Sequence, residues 1–265
     1  MGDCPCGQTE GTAGESRTGR YIAELESTIK GFIDGDPYEV LGEEEAETGH
    51  LVLRLHEKIP LPSRNISLIA GDAVHNLRSA LDLLYCALVK DNGGTPGTDD
   101  AFRISKHRKS FESGALPEIE KRLSSGAFKV MSNLQPYRGG HNPFWQLHQL
   151  DIIDKHRLLL TTTASVGEVI QTVSPVGERE IAIGGGLTVS GIKLAYAPAD
   201  KRCPLNDGDE VLRQTTKPHH DVEFAFQVAL HEPPIVECEA ILPFLTHLSS
   251  GVGATISLFE PILNT

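Results

Sequence analysis

Positive charge is in short supply. Against 36 acidic residues the chain has 24 lysines and arginines, a formal net charge of −12 at pH 7, with a pI near 5.4. A surface of that sign repels a phosphate backbone, so nucleic acid is not the expected partner. A small basic pocket remains compatible with it. No apolar run approaches the roughly 18 residues that span a bilayer, and no basic stretch followed by an apolar one opens the chain. Neither a membrane span nor a secretory leader is therefore expected. The opening MGDCPC is close to a myristoylation signal but has Cys6 where Ser or Thr is wanted.

Cysteines are few and odd in number: Cys4, Cys6, Cys86, Cys203 and Cys238. Such a set argues against a disulfide framework and for a bacterial cytoplasm. Cys4 and Cys6 stand in a Gly-rich tail with no second pair to complete a zinc site. There is no G-x-S-x-G nucleophile elbow. The GGG at 184–186 lacks the G-x-G-x-x-G spacing and precedes no helix, so it is a strand turn and no cofactor is expected.

What is present is ordinary globular material, 39% hydrophobic and 23% charged. Residues 1–17 hold almost nothing apolar, which predicts a disordered tail. Residues 18–265 form one unit. Helical spacing of Ile22, Leu25, Ile29, Phe32 and Ile33 gives a first helix, ended by DGDP. YEVLGE and HLVLRLHEKI alternate around a turn and predict a hairpin. Residues 64–90 form the longest helix. Short helices follow over PEIEKRLSSGAFKVMSNL, then the turn QPYRGGHNP, then a helix at 143–158 with Asn142 as cap. From 161 to 232 β-branched and alternating runs predict about five antiparallel strands. Residues 235–263 return to helical spacing, broken near Gly251. Helices first and strands second make the fold class α+β: a helical bundle packed with an antiparallel sheet formed by the C-terminal half.

The two most hydrophobic helices carry the chemistry. On the wheel of residues 71–90, Asp72, His75, Ser79, Asp82 and Cys86 fall within roughly 80°, with Arg78 beside them. Flexible Lys and Glu usually occupy a solvated stripe; these short, stiff side chains are poor helix formers. The helix at 143–158 is apolar nearly all round, through Phe144, Trp145, Leu147, Leu150, Ile152, Ile153 and Leu158, yet it holds His148, Asp151, Asp154, Lys155, His156 and Arg157. Buried charges need partners. The expected pairs are Asp72 or Asp82 with Lys155 or Arg157, and His75 with Asp151 or Asp154. The HQLD and DAVH spacings approach those of carboxylate-bridged di-metal bundles, but Asp replaces Glu and further bridging carboxylates are missing, so no metal is expected.

The motifs ISLIAGDAVHNLRSALDLL, LQPY, LHQLDIIDKHRLLL, CPLNDGDEV and LFEPIL resemble those of a family of uncharacterised bacterial proteins frequent in actinobacteria. The resemblance spans about residues 20–263 and implies a bacterial, cytoplasmic, single-unit protein without implying an activity. AFRIS at 101–105 departs from it, since that family tends to a Phe-Pro-Ile stretch there. A weaker resemblance is to HEPN helical bundles, several of them RNases. Their signature of Arg, four to six residues, then His is not met: Arg103 with His107 and Arg138 with His141 are both too short.

Three functions follow as expectations. The first is an enzyme with a polar pocket between the two helices, using His75 and His148 as acid–base groups. Asp82, Asp151 and Asp154 would orient them, and Arg78 or Arg157 would hold an anion on a small or phosphorylated substrate. The second is a non-catalytic scaffold or binding protein whose polar cluster is an internal network. The third is a HEPN-like RNase or defence component. The expected partner is a small molecule or another protein.

Overall fold

The computed structural model describes residues 9–157, 160–173, 181–183, 187–189, 192–196, 203–214 and 220–263. Helix α1 (Thr9–Asp34) leads into the hairpin β1 (Tyr38–Glu44) and β2 (Leu51–Glu57), then the long α2 (Ser63–Asp91). A short α3 (Arg108–Ser110) passes through a π-helical turn (Phe111–Ala115) into α4 (Leu116–Arg122), followed by α5 (Ser125–Leu134) and α6 (Asn142–Arg157). Strands β3 (Thr162–Val173), β4 (Ile181–Ile183), β5 (Leu187–Val189), β6 (Ile192–Tyr196), β7 (Glu210–Gln214), β8 (His220–Glu232) and β9 (Val236–Ala240) precede the closing α7 (Ile241–Leu263). The fold is α+β, as the pattern of periods indicates.

Helix α2 is the axis of the bundle. Its length and apolar circumference dictate burial from several sides, and Ile66, Ala70, Ala73, Val74, Leu77, Ala80, Leu81 and Tyr85 are fully enclosed. Helix α1 packs along it. Helices α6 and α7 close the other sides, with Phe144, Leu147, Leu150, Leu245, Leu248, Val252 and Phe259 in one continuous core. A second cluster joins Phe32 and Tyr38 to Leu55, Val166, Val169, Leu205 and Val211.

Several expectations need correction. The C-terminal strands do not form one sheet. β7 leaves its neighbours and extends the hairpin to the order β1-β2-β7, while the main sheet runs β6-β3-β8-β9 and β4 pairs only with β5. Period-2 alternation marks a strand but does not name its partner; Val211 goes where the cluster around Leu55 can bury it. The closing helix starts later than expected, because Val236–Ala240 is the strand β9, and α7 is unbroken at Gly251. The burial of Leu248, Val252 and Thr255 outweighs about 1 kcal/mol for a helical glycine.

Helix α7 is also long and apolar enough, by length and composition, to cross a bilayer. The expectation that no such run exists does not hold, although α7 packs one face into the core through Ile241, Leu245, Leu248, Val252, Thr255 and Phe259. Finally, Cys203 and Cys238 are joined in a disulfide. Their 35-residue separation says nothing by itself; the fold brings the loop before β7 beside β9.

Helix α1 begins at Thr9, inside the segment expected to be a tail, and Thr18 is fully buried. TEGTAGESR contains no proline and only two glycines, Gly11 and Gly14, so a docked α1 can propagate backward through it. Asn142 serves the turn ahead of α6, its Oδ1 accepting from Gly139 N at 2.7 Å. The 184–186 glycines, residues 1–8 and the Arg157 side chain lie outside the described residues.

Candidate functional site

Helices α2 and α6 run antiparallel, with three levels of contact. At the first, Asp154 sits over Gly71: a Cβ built at residue 71 would stand 2.8 Å from Asp154 Cγ. At the second, His75 Nδ1 meets Asp151 Oδ1 at 3.2 Å, and Lys155 Nζ donates to Asp151 Oδ2 at 2.6 Å. Asp151 is buried, while His75 and Lys155 are about half exposed at 51% and 50%. At the third, Arg78 and His148 line the same cleft. Positions rise along α2 as they fall along α6, which fixes the antiparallel register.

The polar stripes therefore face each other, but with different pairings from those expected. His75 takes Asp151 as anticipated. Among the described residues, Asp82 takes neither Lys155 nor any other group of α6. It accepts from Arg78 Nη1 at 2.6 Å, one turn away, and from the backbone N of Phe102 at 2.9 Å. Arg78 Nη2 donates to the Phe102 carbonyl at 2.9 Å. One ion pair thus clamps both backbone groups of Phe102. The buried Phe102 ring packs edge-on against Phe144, centroids 5.8 Å apart. The sequence stretch AFRIS is pinned to α2 and α6 by this arrangement. Asp72 and His156 are exposed and stand outside the cleft.

The cleft has a volume of about 380 Å³ and is lined by Arg78, Arg103, Ser105, Glu118 and His148 together with apolar residues of the 101–105 loop and the π-helical turn. That size suits a small molecule. Its electrostatics favour an anion. The Arg78 guanidinium is almost fully buried, 8% exposed, and engages Nη1 and Nη2 once each. A guanidinium carries five N–H donors. Arg103 donates from Nη2 to the Asp99 carbonyl at 2.9 Å. Among the described residues it has no carboxylate within ion-pair distance, and its buried Nε has no hydrogen-bond partner. His148 Nδ1 is likewise buried without a partner. Glu118, at the rim, is tied to Lys121 Nζ at 2.8 Å.

Protonation states follow from the surroundings. Burial, with the Arg78 charge second, pushes His148 below the ordinary imidazole pKa, so its neutral form dominates. Burial raises the Asp154 carboxyl above the ordinary range, and the nearby Asp151 and Asp72 charges add to this. The site thus offers cationic guanidiniums, a neutral imidazole with an unengaged nitrogen, and a hydroxyl.

Of the residues singled out in the sequence, Arg78 and His148 line the cleft, and Asp82 supports it. His75, Asp151 and Lys155 form a separate pairing on the adjacent level of the helix pair. Gly71, Ser105 and Glu118 carry no site reading in the sequence, and Arg103 enters it only through the unmet HEPN spacing. Gly71 had a signal: a glycine inside a strong helix costs about 1 kcal/mol and marks a close approach. Arg103 had none, since only the folded 101–105 loop brings it beside α6. Comparison with known protein families, with curated protein sequences and with solved structures finds no match.

Proposed function

We propose that the protein binds a small phosphorylated molecule in the cleft between α2, α6 and the 101–105 loop, and acts on it by general acid–base chemistry through His148. The observation that carries this is a cleft lined by the residues Arg78, Arg103 and His148, in which Arg103 Nε and His148 Nδ1 are buried without a hydrogen-bond partner. A phosphate suits such a lining, because guanidinium forks match the geometry of its oxygens. A neutral imidazole in such a site is ready to take a proton from a bound hydroxyl or water. Its lowered pKa makes it a weak proton acceptor until the anion arrives and raises its basicity. A cytoplasmic bacterial setting, where phosphorylated metabolites abound, belongs to the same reading.

A second reading applies to the other half of the polar cluster. His75, Asp151 and Lys155 satisfy one another, as do Arg78, Asp82 and Phe102. These pairings act as an internal network that fixes the α2–α6 register and holds the 101–105 loop.

Calorimetric titration with inorganic phosphate tests the binding claim. The wild type should bind one phosphate per chain. Arg103→Gln and His148→Gln should lose most of that affinity with little change in melting temperature, and Asp72→Asn should bind as the wild type does. Equal binding by all four proteins, or none by the wild type, would reject the cleft as an anion site.

A further inference from the structure

Outside the α2–α6 pair, three metal-ligating side chains converge. Cys203 stands in the loop before β7, His231 on β8 and Cys238 on β9, and their donor atoms all lie within 4.8 Å of one another. Cys203 and Cys238 are joined as a disulfide with their Cα atoms 6.0 Å apart. His231 Nδ1 lies 3.2 Å from Cys238 Sγ.

A backbone irregularity sets up this convergence. In the β8–β9 pair, Leu230 faces Glu239 and Glu232 faces Val236. The single residue His231 therefore stands opposite two residues, Glu237 and Cys238, which is a β-bulge. Cys238 takes the strain, with φ +53 in the left-handed region that a non-glycine strand residue rarely adopts. Strain of this kind persists where surrounding structure enforces it, and it gathers at functional positions. Cys238 is buried, whereas Cys203 and His231 are partly exposed.

Two sulfurs and an imidazole nitrogen make a soft donor set of the kind that selects zinc. In a tetrahedral zinc site with bonds of about 2.3 Å, the two sulfurs stand about 3.8 Å apart. The present Cα separation of 6.0 Å leaves room for that once the sulfurs are no longer bonded. A water or an incoming ligand completes the fourth position.

We infer that, when the disulfide is reduced, Cys203, His231 and Cys238 bind a soft divalent cation of the Zn²⁺ class, exchanging a covalent tie between the pre-β7 loop and the β8–β9 hairpin for a metal tie. With a phosphine reductant the step balances. The S–S bond breaks, two electrons pass from phosphorus to sulfur, the phosphine becomes its oxide with oxygen from water, and each sulfur takes a proton. Cation binding then forms two thiolate–metal bonds and releases two protons to solvent.

The test uses the full chain, reduced anaerobically with a phosphine, desalted and titrated with Co²⁺, followed by displacement with Zn²⁺. The expected result is one Co²⁺ per reduced chain, with a near-ultraviolet thiolate-to-cobalt absorption band and tetrahedral visible bands, and no such bands in the oxidised protein. His231→Gln should weaken binding at least about tenfold, as loss of a ligand does, and Cys238→Ser should abolish the thiolate band. The double variant Cys4→Ser/Cys6→Ser and the single variant Cys86→Ser should keep it. Circular dichroism checks that each variant is folded, and the reduced wild type decides the matter should one not be. The proposal is overturned if the reduced wild type shows no thiolate band, if the band survives Cys203→Ser and Cys238→Ser, if it disappears with Cys4 and Cys6, or if His231→Gln binds as tightly as the wild type.

Discussion

The carboxyl group of Asp154 occupies the space that a side chain on Gly71 would fill, with Asp154 Cγ 2.8 Å from where a Cβ would stand. Helices α2 and α6 can come this close only because residue 71 is glycine. Gly71→Ala should therefore be destabilising even though alanine is the better helix former. Overpacking of this kind costs about 1–3 kcal/mol, and at about 2–4 °C per kcal/mol for a chain of this size the melting temperature should fall by several degrees. Adding Asp154→Ala should restore most of the loss, giving a clear coupling energy in a double-mutant cycle. Additive effects would mean that the two residues do not share the space.

The Arg78–Asp82 pair should matter more to the fold than any other pair on the stripe. Asp82→Ala leaves a nearly buried guanidinium with one acceptor fewer and frees the Phe102 amide. Leaving hydrogen-bonding groups of a part-buried pair without their acceptor costs about 1–3 kcal/mol, whereas exposed Asp72→Ala should stay within about 0.5 kcal/mol. Urea unfolding of the two variants measures the contrast. Equal midpoints would show that the clamp on Phe102 contributes nothing.

Asp154 gives the stability a pH dependence of predictable sign. Its folded-state pKa is raised, chiefly by burial, so the folded protein holds that proton more tightly than the unfolded chain does. Its contribution is fully present below the unfolded carboxylate pKa and is lost as pH rises through the higher folded value. Asp154→Asn, which keeps the shape over Gly71, should therefore gain stability relative to the wild type at neutral pH, and the gain should shrink on acidification into the carboxylate range. Melting curves from mildly acidic to neutral pH test this. A difference that grows on acidification would contradict the sign.

Much of this architecture can be read from the chain, and the failures share one cause. Helices α2 and α6 are visible because apolar residues cover nearly all their circumference, and the His75–Asp151 pair follows from polar groups placed in such helices. Period and composition are local properties. They could not tell that β7 would pair with β2, that Cys203 would meet Cys238, or that Asp82 would turn to Phe102 in place of α6, because each of these is decided by loops between elements. The cleft was half legible for the same reason. Arg78 and His148 lie on the helices and were found, but Arg103 reaches them only through the folding of AFRIS, and a lone Arg in a loop carries no periodic signal.

The most direct measurement of the central claim is the titration of His148 by NMR, with and without inorganic phosphate. Free, its imidazole should titrate below the ordinary histidine range, because burial and Arg78 disfavour the cation. Bound phosphate places negative charge beside it, so the midpoint should move upward and binding should take up protons below neutral pH. In Arg103→Gln the upward movement should vanish. A His148 that titrates in the ordinary range and ignores phosphate, or that responds to phosphate equally in Arg103→Gln, would contradict the cleft as a site for a phosphorylated ligand.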